Sequence, residues 1–258
     1  MLKHWGEMTA ADFAALEERS VAILPVAATE QHGPHLPAGT DAFILDGILR
    51  AASPLAGPVR GIVLPLQPVG WSPEHGGLPG TLSLAADRLA DAWVAIARWA
   101  ARAGVRRLLI LNSHGGNPPA MAIAALRLRT EDGLLVATTH WEDLARPAEL
   151  APAGAATPDW HAGWIETSVM LQLRPDLVRM DRAVAGTWNH PEGLPPNGPS
   201  PWAWMTNDLS ANGVIGDPRL ASAELGARLV ERAVAGLATL LDRLAAAPWP
   251  PSRGSAGS

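Results

Sequence analysis

Glu30 and His32 lie two residues apart in Thr29-Glu30-Gln31-His32-Gly33. In extended chain, residues i and i+2 point the same way, so a carboxylate and an imidazole converge on one point. Such a pair fits a metal ion, and it fits a polar turn after a strand equally well. Asp41 follows, where the pattern Ala42, Leu45, Leu49 begins a helix. A carboxylate there satisfies free helix-start amides or bridges two cations. His114 precedes Gly115-Gly116, so backbone can approach it closely. Asn117-Pro118 then reads as an N-cap followed by an N1 proline. Further on, Glu166 shares a helical face with Met170 and Leu173. A carboxylate on that apolar side needs a cation or strong donors. His161 stands about 140° from Glu166 on a regular helix, so it joins the same site only from a lead-in loop.

The chain has no Cys and no Tyr. Chemistry therefore falls to His, carboxylates, Ser/Thr and metals with N and O ligands. Two divalent cations balance Glu30, Asp41, Glu166 and one hydroxide, with His32 and His114 neutral. Mixed O/N ligation without sulfur suits Zn or Mn. A pair of such ions activates water and polarises a carbonyl, which implies hydrolysis of an amide-like bond.

The elements that must position these residues are short apolar runs expected as buried strands: Val21 to Ala28, Gly61 to Val69, Arg107 to Leu111, and Leu134 to Thr138. Helical spacing relates Leu89, Trp93, Ile96 and Ala100, then Met121, Ala125 and Leu128. The clearest stripe is Leu229, Ala233, Leu237, Leu240 and Leu244. Thr9 is expected to cap a first helix with Phe13 and Leu16 facing inward. Strands alternating with helices predict an α/β class fold, a layered α/β/α domain with a mainly parallel sheet. One domain is expected over 1–247 and a flexible tail over 248–258. The Pro, Gly, Asn and Trp of Gly186 to Gly216 predict long ordered loops or irregular strands. Each strand ends in a polar cluster, and sites in open α/β sheets lie at that edge.

Composition narrows the function classes. Charged residues are 17% against 48% hydrophobic, which excludes a disordered or coiled-coil chain. A net charge of −5 argues against nucleic-acid binding. No run is apolar enough to span a membrane. The segment Met1 to Glu7 lacks the apolar core of a signal peptide, so the cytoplasm is the expected compartment.

Taken together, the motifs resemble the creatininase (creatinine amidohydrolase) family. The matching pieces are Glu30-Gln31-His32-Gly33-Pro34-His35-Leu36-Pro37 with Asp41, and His75-Gly76-Gly77-Leu78-Pro79-Gly80-Thr81. Asn112-Ser113-His114-Gly115-Gly116-Asn117 follows, then His161-Ala162-Gly163 leading to Glu166-Thr167-Ser168. The resemblance implies a creatininase-like fold, a homohexamer and two divalent metal ions, Zn first, with Mn or Fe as alternatives. It implies Glu30 and His114 on one metal, His32 on the other, and Asp41 bridging. His161 would be the proton shuttle, and Ser72 falls near a substrate-contacting loop. His75 joins that substrate-binding set through its motif. True creatininases carry Tyr and a metal-binding Glu where this chain has Gly115 and Gly116. Glu166 is expected to supply the missing carboxylate, as both ligand and catalytic residue.

The Gly-Gly version looks more like formamide hydrolases of flavin or deazaflavin precursor synthesis, or like the mycofactocin peptidase. The leading expectation is a metal-dependent amidohydrolase acting on a small-molecule cyclic or linear amide or formamide. Trp71, Trp141, Trp160 and Trp164 flank the motifs and could wall a flat pocket. The alternatives are a mycofactocin-type peptidase, a non-catalytic scaffold that kept the fold, or a metal enzyme that isomerises or opens lactones.

Overall fold

Prolines decide where the central ladder stops. The computed structural model describes residues 2–54, 61–155 and 158–250. Strand β1 (Leu2–His4), β2 (Val21–Val26), β3 (Gly61–Val63), β4 (Arg107–Asn112) and β5 (Leu135–His140) form one sheet in the order β1-β3-β2-β4-β5. Every pairing is parallel. The expected second strand ran to Val69, but β3 ends at Val63. With Ile23 opposite Val63, continuing the register sets Pro25 against Pro65, and neither has an N–H to give. Only an isolated bridge from Val26 to Gln67 resumes the pairing. β1 was missed because three residues carry too little periodicity to register.

Alternation along the strands builds two cores. Ala22, Leu24 and Val26 of β2, with Leu108 and Ile110 of β4, pack under helices α3 (Ala86–Arg102) and α4 (Pro118–Asp132). Val21, Ile23, Leu109 and Leu111 face the other way, with Leu45 and Leu49 of helix α2 (Thr40–Ala52) and Leu237 and Leu241 of helix α8 (Ala223–Ala246). A third cluster joins α2 and α8 to helices α5 (Trp141–Ala145) and α6 (Trp164–Leu173). This is the layered α/β arrangement that the alternating pattern predicts.

Short helix α1 (Ala10–Ala14) starts as expected, with Thr9 and Asp12 forming a capping box and Phe13 and Leu16 half-buried. Asn117 takes the N-cap position of α4 with Pro118 after it, as expected, but its side chain makes no cap hydrogen bond. It bridges instead, donating to Ala27 O and Asn112 Oδ1 and accepting from Trp71 N. The 186–216 region is mostly loop and carries short helix α7 (Thr206–Leu209). Of the expected tail, residues 251–258 lie outside the described residues; Trp249 donates to Gly133 O, and Arg129 sits over its ring. No helix among the described residues is long and apolar enough to cross a membrane.

Candidate metal centre

β2 and β4 end side by side, Val26 opposite Asn112, and the chain leaving each carries the polar residues. Beyond β2 come Glu30, Gln31 and His32, and α2 then places Asp41 in its first turn. Beyond β4, the Asn112 side chain grips the main chain of His114, accepting from its N–H at 3.1 Å and donating to its carbonyl at 2.6 Å. From the opposite side α6 brings Glu166 in its first turn, with His161 on the lead-in before it. All six expected chemical residues, Glu30, His32, Asp41, His114, His161 and Glu166, meet in one buried cluster.

Within it lie two three-residue groups that share Asp41: Glu30, Asp41 and His114, and His32, Asp41 and Glu166. His114 Nδ1 is 3.1 Å from Glu30 Oε2 and 3.6 Å from Asp41 Oδ2. His32 Nε2 is 3.2 Å from Asp41 Oδ1 and 3.7 Å from Glu166 Oε2. Close as they are, Glu30 Oε2, His32 Nε2 and Asp41 Oδ2 make no hydrogen bond and are cut off from solvent. Buried polar atoms left unpaired are costly, and three aimed at common points fit a cation.

The remaining ring nitrogens agree with that fit. His32 Nδ1 faces Glu30 O at 3.0 Å, and His114 Nε2 faces Trp71 O at 3.0 Å. In the neutral ring each carbonyl takes the N–H and leaves the inward nitrogen bare, the form in which imidazole binds a metal. Glu166 Oε2 accepts the Ala162 N–H at 2.6 Å. Ala162 itself holds the left-handed region at φ 53°, a strain of about 1–2 kcal/mol for a residue other than glycine.

Electrostatics describe a cluster that demands positive charge. Burial opposes a charge on His114, yet Glu30, Asp41 and Glu74 outweigh it and push its pKa up to about 10. Burial likewise opposes His32, and Glu166 and Asp41 overcome it, so its pKa is raised. Burial, reinforced by Glu30, pushes Asp41 up to about 7. Protons gather on these residues because buried carboxylates crowd together, and divalent cations answer the same need.

The substrate residues read from the sequence fare unevenly. Ser72 is fully buried, its Oγ 3.1 Å from His114 Nε2, and His75 is buried with Nε2 3.4 Å from Glu30 Oε1. Trp141 and Trp164 do not form an open wall: both pack into the α2–α5–α6–α8 core, where their large apolar area is best removed from water. Trp160 is 41% exposed, stacked on Trp204 and edge-on to Trp188.

Three residues escaped the sequence reading. Glu74, whose Oε1 is 3.5 Å from His114 Nε2, stood beside His75 in its motif and could have been flagged. Asp159 accepts from Trp164 N and Ile165 N and so caps α6 from outside the helix. Gln31 was given no role between Glu30 and His32, but its amide is a hub of the site. Gly116, where a Glu would be the family pattern, has no room for a side chain. A Cβ there would meet Trp71 O at 2.2 Å and His114 Nε2 at 2.4 Å.

Comparison with known proteins agrees with this geometry. The family model for creatininase, described as creatinine amidohydrolase, matches residues 6–241. The mycofactocin precursor peptide peptidase of Mycolicibacterium smegmatis is 34% identical, covering 90% of this chain and 86% of that protein. The creatinine amidohydrolase of Pseudomonas putida is 32% identical, covering 90% and 94%. A Zn–Zn creatininase mutant superposes with a TM-score of 0.78 at 28% identity, covering 96% of this chain and 98% of that one. A manganese form gives 0.75 at 27%, covering 97% and 100%. With its motifs, its fold and its cluster in agreement, the chain belongs to the creatininase family.

Proposed function

We propose that the protein hydrolyses an amide C–N bond at a pair of divalent cations, zinc foremost, with manganese or iron as alternatives. The observation that carries this reading is the two ligand groups meeting at Asp41, each with an imidazole turned inward by a main-chain carbonyl. Glu30, Asp41 and His114 would hold one ion, and His32, Asp41 and Glu166 the other. Glu166 thereby replaces the carboxylate absent at Gly116. When bound, the ions polarise the amide carbonyl and lower the pKa of water.

The chain's own residues do the rest. Asp41 and Glu166 sit in the first turns of α2 and α6, and Glu30 follows β2 with its N–H bonded to Ala38 O, so the carboxylates are placed before reaction. His161 takes the water proton and returns it to the leaving nitrogen, as a general base and then acid. Ser72 and His75 line the centre, each within reach of a ligand of the first group. Without Tyr at Gly115 or Glu at Gly116, creatinine loses a substrate contact, which favours formamides and open-chain amides. A homohexamer is part of the same proposal.

A second reading, cleavage of a peptide bond, is favoured by one observation. Mycofactocin precursor peptide peptidases reach 34–35% identity, against 32% for creatinine amidohydrolase. The test is a chelated enzyme assayed on N-formylanilines, alanyl anilides and creatinine before and after Zn or Mn is restored. We expect metal-dependent hydrolysis of a formyl or peptidyl amide and almost none of creatinine. Full activity without metal, or no hydrolysis of any amide with it, overturns the proposal.

A further inference from the structure

Gln31 belongs to neither of the two groups that share Asp41, yet its amide touches the two imidazoles outside them, His75 and His161, and His161 itself lies close enough to Glu30 and His32 to help hold a cation. Its orientation follows from two main-chain partners. Oε1 accepts the Gly33 N–H at 2.9 Å, and Nε2 donates to Gly213 O at 3.1 Å. The flipped amide would set donor against donor and acceptor against acceptor. In the observed orientation the second hydrogen on Nε2 goes to His75 Nδ1 at 2.8 Å, and Thr206 Oγ1 approaches the same nitrogen at 2.9 Å. Nδ1 of His75 is therefore an acceptor, and a neutral ring then carries its proton on Nε2. That N–H faces Glu30 Oε1 at 3.4 Å and Glu74 Oε1 at 3.9 Å. Glu30, Glu74 and His75 also lie close enough to hold a cation, but a protonated Nε2 has no lone pair for it.

His161 carries its proton on the same nitrogen but turns the other one to Glu30. Its Nε2 lies 2.6 Å from the main-chain oxygen of Gln31, a contact that requires an N–H. Gln31 Nε2 also comes within 3.1 Å of that nitrogen, but both its hydrogens already have acceptors. Nδ1 of His161 is then bare and faces the same Glu30 Oε1 at 3.5 Å. The two rings lie 4.2 Å apart, so donor and acceptor sit side by side.

We propose that Gln31 is a positioning residue that locks His75 and His161 in the same Nε2–H tautomer but with opposite nitrogens turned to Glu30, making His75 a catalytic N–H donor to the substrate's amide oxygen and leaving His161 Nδ1 bare to take the proton. This rests on the amide-hydrolysis reading. Water oxygen bonds to the carbonyl carbon, and the C=O electron pair moves onto oxygen, where the His75 N–H stabilises it without transferring its proton. The water proton goes to His161 Nδ1. As the carbonyl re-forms, the C–N bond breaks, and that proton passes to the leaving nitrogen. The products are a carboxylic acid and an amine.

Neutron diffraction from deuterium-exchanged crystals of the metal-loaded protein tests the tautomers directly. Deuterium is expected on Nε2 of both rings and on neither Nδ1. Deuterium on Nδ1 of either ring, or His75 Nε2 bound to a metal ion, overturns the proposal. This readout needs no substrate, so it stands or falls apart from the hydrolytic reading. Gln31→Glu, equal in size but an acceptor toward His75, should lower kcat on the best amide of the panel about 10²-fold. KM and metal content should stay within about twofold. His75→Gln, which keeps an N–H, should retain more activity than His75→Ala. Unchanged kcat in Gln31→Glu, loss of metal from it, or equal activity in the two His75 variants contradicts the assignment.

Discussion

Asp41 offers Oδ1 to His32 at 3.2 Å and Oδ2 to His114 at 3.6 Å, so a single carboxylate joins the two ligand groups. Asp41→Ala should therefore cost at least one metal equivalent and all amide hydrolysis; elemental analysis of the purified variant checks it, and a fully loaded, active variant would sink the bridging role. His161 is different in kind. His161→Ala should keep both metals and slow turnover by roughly 10²–10⁴-fold, and metal loss instead would mean that a ligand had been mistaken for a proton carrier. That these residues would gather was legible because each lies near an element end with a spacing that fixes its direction: Glu30 and His32 by alternation, Asp41 and Glu166 in first turns. The tryptophans were not, since a ring beside a motif reads the same whether it packs inward like Trp141 or outward like Trp160. Gln31 was illegible for another reason: the acceptors of its amide N–H groups, His75 and Gly213, lie 44 and 182 residues away.

Helix α6 carries Glu166, and its seating depends on glycine. Gly226 of α8 packs against the main chain of α6 so closely that a Cβ would lie 1.9 Å from Ser168 O. Gly226→Ala must push the two helices apart, an overpacking cost of about 1–3 kcal/mol. We expect a melting temperature lower by about 2–10 °C and weaker binding of one metal equivalent, the one that Glu166 would hold. A calorimetric scan with metal titration checks this; an unshifted melting point with unchanged affinity would show that α6 tolerates the displacement. At this scale the sequence pattern served well for β2, β4, α3 and α8, whose apolar residues repeat over six positions or more. It failed at β1, which is too short, and at the end of β3, where the two prolines matter only once the register is known.

Across the whole molecule, the buried charges link stability to pH. In the metal-free protein burial opposes charge on His114, but Glu30 and Asp41 hold its pKa up to about 10 against the ordinary 6.5. A base with a raised folded-state pKa contributes stability that is complete below 6.5 and lost as pH climbs toward about 10. Asp41, raised by burial and by Glu30 from 3.8 to about 7, has the same sign, because its protonated form is the one that the fold favours. The chelated protein should therefore melt at falling temperature as pH rises from about 6.5 to about 10, and the metal-loaded protein should not. A chelated protein that gained stability over that range would refute the charge account.

The central claim is that two cations share Asp41, with Glu166 completing the second site. The most direct measurement is a crystal structure of the metal-loaded protein with anomalous scattering collected at the metal edges. The account predicts two peaks, one among Glu30, Asp41 and His114 and the other among His32, Asp41 and Glu166. A single peak, or a second ion that Glu166 does not touch, would contradict it.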